Sequence, residues 1–128
     1  MRMRGVLAAG FGLLMPLAAS AQAPGDLALD IAVLGGLDKV TARVVSIEAP
    51  VGDPVRFGSL EIIARACKKH RPEETPESAA FLDITDMKSA PPQPLFRGWM
   101  FSSSPALSAM EHPVYDIWVL DCRSSAVR

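Results

Sequence analysis

The chain has 128 residues, 49% of them hydrophobic, with 13 Lys and Arg against 14 Asp and Glu. Residues 1–21 read as an export signal, which leaves roughly 107 residues, enough for one domain and no more. With Arg2 and Arg4 set aside, 11 Lys and Arg face 14 Asp and Glu, a formal charge of −3. That balance, without basic blocks to neutralise a run of phosphates, argues against nucleic acid as a partner.

Arg2 and Arg4 supply a positive head, Val6 to Ala19 an apolar stretch broken by Pro16, and Ala19-Ser20-Ala21 the small residues at −3 and −1 of a cleavage site. The order predicts export to the periplasm by the general secretory route, with Gln22 as the mature start. Cleavage after Ala23 is the alternative, but it would place the restrictive ring of Pro24 directly after the cut. The apolar run is shorter than the ~20 residues that cross a bilayer, so no stable span is expected after cleavage.

Residues 22–36 read as an N-terminal tether with a weak helix. Val40 to Ile47 alternates and predicts the first strand. Ala49 to Pro54 has turn chemistry, and Val55–Phe57 runs through Gly58-Ser59 into Leu60–Cys67 as a hairpin. Lys68 to Ser78, with Pro72 and Pro76, predicts a surface loop. Ala79–Thr85 and Leu95–Phe101 return to strand texture on either side of the proline-rich Ser89–Pro94. Ser104 and Pro105 suit an N-cap and first position for one or two helical turns reaching Glu111. Val114–Cys122 is the strongest strand, and Ile117–Leu120 is apolar on both faces, as in a central strand. The predicted fold over residues 37–123 is mainly β: a small antiparallel sandwich or partly open barrel of about six short strands with one short helical segment, followed by a tail at 124–128.

Cys67 and Cys122, each near the end of a predicted strand in an exported chain, predict a disulfide. Closing a loop of about 55 residues contributes roughly 4 kcal/mol in the chain-entropy description. Arg65, Lys68, Lys69 and His70 around Cys67 would also suit a reactive thiol, but no Cys-x-x-Cys is present. Cys67, His70, His112 and Cys122 are too incomplete a set to predict a metal. No cofactor motif occurs.

Ser102, Ser103 and Ser104 with His112 and Asp116 hold the residue types of a nucleophilic triad, without a Gly-x-Ser-x-Gly elbow. Glu111, His112 and Asp116 form the one polar cluster that would suit a hydrolase. Glu73, Glu74 and Glu77 read as a solvated loop, since a calcium loop needs more oxygen ligands. Trp99 and Phe101 share a strand face, whereas Tyr115 and Trp118 lie on opposite faces. These four aromatics are the candidate contacts for a ligand or partner, against plain core packing.

Several separate stretches, in a fixed order, carry a resemblance. In the first half they are Leu37-Asp-Lys-Val-Thr-Ala-Arg43, Val51-Gly-Asp-Pro54, Val55 to Ile62, Arg65-Ala-Cys67 and the loop Pro72 to Glu77. In the second half they are Ala79 to Asp83, Gly98-Trp-Met-Phe101, Ser104-Pro-Ala-Leu107 and His112 to Cys122. Taken together, these stretches resemble a family of small exported alphaproteobacterial proteins known only as a domain of unknown function; the resemblance implies an exported single domain with this pair of cysteines and supplies no activity, cofactor or catalytic residue.

Three functions compete. The first is a non-enzymatic periplasmic module for envelope structure or protein interaction. The second is a glycan- or peptidoglycan-binding module that stacks a sugar on Trp99 or Trp118. The third is a hydrolase centred on His112. The partner is accordingly an envelope protein or a glycan.

Overall fold

The computed structural model describes residues 26–105 and 109–126. The predicted signal at residues 1–21 lies outside them. Eight strands form: β1 Leu27–Leu29, β2 Ile31–Asp38, β3 Arg43–Pro50, β4 Pro54–Phe57, β5 Leu60–Lys69, β6 Ser78–Asp86, β7 Gln93–Phe101 and β8 Tyr115–Arg123. All pair antiparallel. A five-stranded sheet runs β1-β5-β6-β7 with β4 also on β5, and a three-stranded sheet runs β3-β2-β8. The two sheets make a sandwich rather than a closed barrel. β4 and β1 divide the far side of β5 between them, β4 against Leu60–Ile63 and β1 against Cys67–Lys69.

The core lies between the sheets, with Leu34, Ile117 and Val119 from the smaller one and Leu60, Ile62, Leu82 and Ile84 from the larger. Alternation along each strand produces this division, because successive side chains point to opposite faces. Cys67 on β5 and Cys122 on β8 form the predicted disulfide, with Cα atoms 5.7 Å apart and both residues buried. It joins the two sheets across the core.

The six expected strands correspond to β3 through β8, and the two additional ones come from the segment read as a tether. Over its described part, residues 26–36, the tether reading is therefore corrected: Leu27–Leu29 is an edge strand, and Ile31–Asp38 is the central strand of the smaller sheet. A short apolar run with paired glycines does not distinguish helix from strand by period. Here both glycines make room for neighbours. A Cβ on Gly35 would lie 2.3 Å from Trp118 Cε2, and one on Gly36 would lie 2.9 Å from Ile47 Cδ1.

The same contact explains a second correction. β8 is an edge strand of its sheet, not a central one, although Ile117–Leu120 is apolar on both faces. Trp118 lies over Gly35 on the outer face, while Leu120 is the extra residue where the register with β2 shifts. The first predicted strand also begins three residues later than expected, at Arg43, because Lys39–Ala42 form the hairpin turn. The Asp38 carboxylate accepts the N–H groups of Val40 and Thr41 there, at 2.9 and 3.3 Å. β5 continues to Lys69, so the proline loop spans fewer residues than predicted. Among the described residues there is no helix; the predicted turns fall partly on residues 106–108, outside them, and Ala109–Glu111 have no regular structure.

Candidate functional site

On the outer face of the larger sheet, pairing sets Lys68, Ala79 and Phe101 in one row and Ala66, Phe81 and Trp99 in the next. Ala79 ends at its Cβ, so a depression opens between Lys68 and Phe101. A cavity of about 260 Å³ occupies it, lined chiefly by Lys68, His70, Glu77, Ala79, Trp99 and Phe101. The Phe81 and Trp99 rings meet edge to face, with centroids 5.5 Å apart. Lys68 Nζ lies 6.0 Å from the Trp99 ring centroid, at the outer limit of a cation–π contact.

Polar groups of both signs border the aromatic wall. His70 donates its Nδ1–H to the Thr75 carbonyl at 2.8 Å, and its Nε2 lies 3.9 Å from Asp26. The bond to Thr75 raises the His70 pKa above the ordinary 6.5, with the carboxylates of Asp26, Glu74 and Glu77 acting in the same direction. Glu77 Oε1 accepts the N–H of Ser78 at 3.1 Å, the Ser102 hydroxyl at 3.0 Å and the Ser103 N–H at 3.1 Å. Its Oε2 accepts the Ser103 hydroxyl. Burial pushes the Glu77 pKa upward, but these donors outweigh it and the net shift is downward. The carboxylate thus pins the start of β6 to the loop after β7. A larger cavity of about 780 Å³ on the other side of His70, bordered also by Leu27, Leu29, Pro72, Pro76 and Cys122, has no Phe, Tyr or Trp in its lining.

The four candidate aromatics separate into three places. Trp99 and Phe101 line the groove together, as their alternation predicts. Tyr115 packs edge to face on Phe57 at 5.3 Å against the core margin, and its hydroxyl occupies the space where a Cβ on Gly58 would stand. Trp118 lies on the outer face of the opposite sheet, beside a cavity of about 380 Å³ with Pro105, Ala109, Met110, Asp116 and Ile117.

The Glu111, His112 and Asp116 cluster does not assemble. His112 Nδ1 accepts the N–H groups of Val114 and Tyr115 at 3.0 and 3.2 Å, which leaves the ring proton on Nε2, 3.2 Å from Asp86 Oδ2. Asp86 also accepts the Lys88 N–H at 2.9 Å, the main cause of its lowered pKa, followed by His112. Asp116 pairs instead with Lys39 at 3.6 Å, and Glu111 is exposed. Ser102 and Ser103 are engaged with Glu77, so the triad residue types are divided between two unrelated networks. Both cysteine sulfurs are committed to the disulfide. Among the described residues, no group of three or more His, Cys, Asp and Glu side chains converges on a metal position.

The sequence identifies the aromatic wall of the groove but not its other members. Lys68, His70 and Glu77 read there as loop residues, and only strand register brings them beside Trp99.

A family described as an uncharacterized protein conserved in bacteria, DUF2155, matches residues 32–122. The uncharacterized protein RP359 of Rickettsia prowazekii is 37% identical over 87 residues, which cover 67% of this chain and 56% of that protein. The matched stretch is thus little more than half of the relative's length. No solved structure matches the chain.

Proposed function

The chain belongs to the DUF2155 family, and we propose that it acts in the periplasm as a non-enzymatic module that binds an envelope glycan through the Trp99–Phe101 groove. The observation that carries this reading is the placement of Trp99 and Phe101 side by side on a sheet face that no second layer covers among the described residues. An indole offers the apolar face of a sugar ring a stacking surface, while Lys68 and His70 supply donors for its hydroxyls or an acidic substituent. The volume of about 260 Å³ is below that of pockets for larger ligands, and it suits a single ring in a longer chain. A hydrolase centred on His112 lacks this support, since both ring nitrogens are engaged.

Co-sedimentation with isolated cell-wall sacculi tests the proposal. Wild-type protein is expected in the pellet. Trp99→Ala should weaken retention roughly tenfold, the equivalent of a lost stacking contact of about 1.4 kcal/mol. Trp118→Ala, on the opposite sheet, should leave retention unchanged. Wild-type protein that stays in the supernatant would overturn the glycan assignment.

A further inference from the structure

We infer that the outer edge of β3 is a docking edge for an extended segment of another envelope protein, which adds to the smaller sheet as a fourth strand. The inference is independent of the glycan groove, which lies on the other sheet.

The sandwich has several free edges, and all but one carry protection against strand addition. β1 and β4 have only three and four residues. β7 contains Pro94, and the β6–β7 register shifts at Thr85. β8 has its extra residue at Leu120, where its register with β2 shifts. Proline, bulges, charge and shortness are the usual means of blunting an edge. β3 differs: its eight residues pair with β2 without a register shift, from Asp38 and Arg43 to Ile31 and Pro50. Its proline stands at one end and its exposed Arg43 at the other, and Glu48 is turned across the sheet to Arg123 at 2.7 Å, so the stretch Val44–Ile47 carries neither proline nor charge.

Alternate backbone groups of an edge strand point away from its neighbour. Among the described residues, no backbone group of Arg43–Ala49 has a backbone partner outside β2. The chemistry that satisfies such a row is another extended backbone.

Side chains point the same way. The apolar residues facing inward along this margin, Val45 and Ile47 of β3 and Val55 and Phe57 of β4, are only half-buried. Their counterparts Leu82, Ile84 and Val119 are fully covered. A strand laid beside β3 would place its inward side chains over Val55 and Phe57. On the outward face it would meet Val44, 63% exposed. The occupant is therefore an extended segment with alternating apolar and polar residues, apolar toward the core.

Amide hydrogen exchange of the ¹⁵N-labelled protein tests this with a defined probe, the capped synthetic peptide Lys-Val-Thr-Val-Ser-Val-Thr-Lys. Near-saturating peptide should slow exchange of the outward amides of Arg43–Ala49 at least tenfold and leave those of β7 and β8 unchanged. The same peptide N-methylated at alternate residues along its pairing edge should have no effect. Protection centred on β7 or β8, or none at about 1 mM peptide, overturns the assignment. So would a dimer in sedimentation velocity whose β3 amides are protected without peptide, because the edge would then belong to a second copy.

Discussion

Ala42 adopts φ = 57° at the end of the β2–β3 turn, a left-handed conformation that a Cβ disfavours. Ala42→Gly should raise stability by about 0.5–1 kcal/mol, the steric relief less the added freedom of the unfolded chain; the urea midpoint measures it. Glu77 acts in the opposite sense, as a carboxylate whose four hydrogen bonds hold β6 to the loop after β7. Its pKa is lowered from 4.5, so its contribution is fully present above that value and is lost as pH falls through the folded-state pKa. Asp86 and Asp30 are also lowered, the first mainly by the Lys88 N–H and the second by the Ser125 hydroxyl, and both add to the same acid-side loss below 3.8. Glu77→Gln should cost about 1–2 kcal/mol at neutral pH and flatten the acid limb of the stability profile. An unchanged limb would show that the serines do not favour the charged form.

Among the elements, β2 is decisive for the smaller sheet because it pairs on both sides. Gly35 provides the space that Trp118 fills, so Gly35→Ala should displace the indole and cost about 1–3 kcal/mol. Tryptophan fluorescence and the denaturation midpoint should change together. The disulfide links β5 to β8 across the core, with a sequence separation of 55, and in the chain-entropy description contributes ~4 kcal/mol. Both residues are at most 1% exposed. Thiol titration should therefore find the bond resistant to reductant in native buffer and reducible after denaturation. Rapid reduction of the folded protein would contradict that burial.

At the scale of the molecule, the two sheets present different surfaces. The larger carries the aromatic groove with its charged border, and the smaller carries Val44 and Leu120, both substantially exposed, on its outer surface, with Val40 at its hairpin tip. A module that holds a sugar on one sheet and a protein strand at the edge of the other would connect two envelope components. Such a module predicts additivity: Trp99→Ala should weaken retention on sacculi by the same roughly tenfold factor without altering peptide-induced protection at β3, since the surfaces share no residue.

Alternating patterns and turn residues were sufficient to locate β3 to β8, because side-chain period and backbone punctuation are local properties. The cysteine pairing also followed from the sequence, since only one intramolecular pairing exists for two cysteines. The identity of β2 required the fold: Gly35 and Gly36 weaken any local strand signal, and their value emerges only when Trp118, Ile47 and Phe57 occupy the space beside them. The groove likewise depended on register, which juxtaposes Lys68, Ala79 and Phe101 from three strands. His112 illustrates the same division. Its residue type suggested chemistry, but backbone N–H groups from its own segment and Asp86 from β6 committed both nitrogens to structure. The sequence by itself determined a mainly β domain, its cross-link and its aromatic inventory; tertiary structure decided which strand is central, which aromatics face outward and which polar groups remain available, because those properties depend on partners distant along the chain.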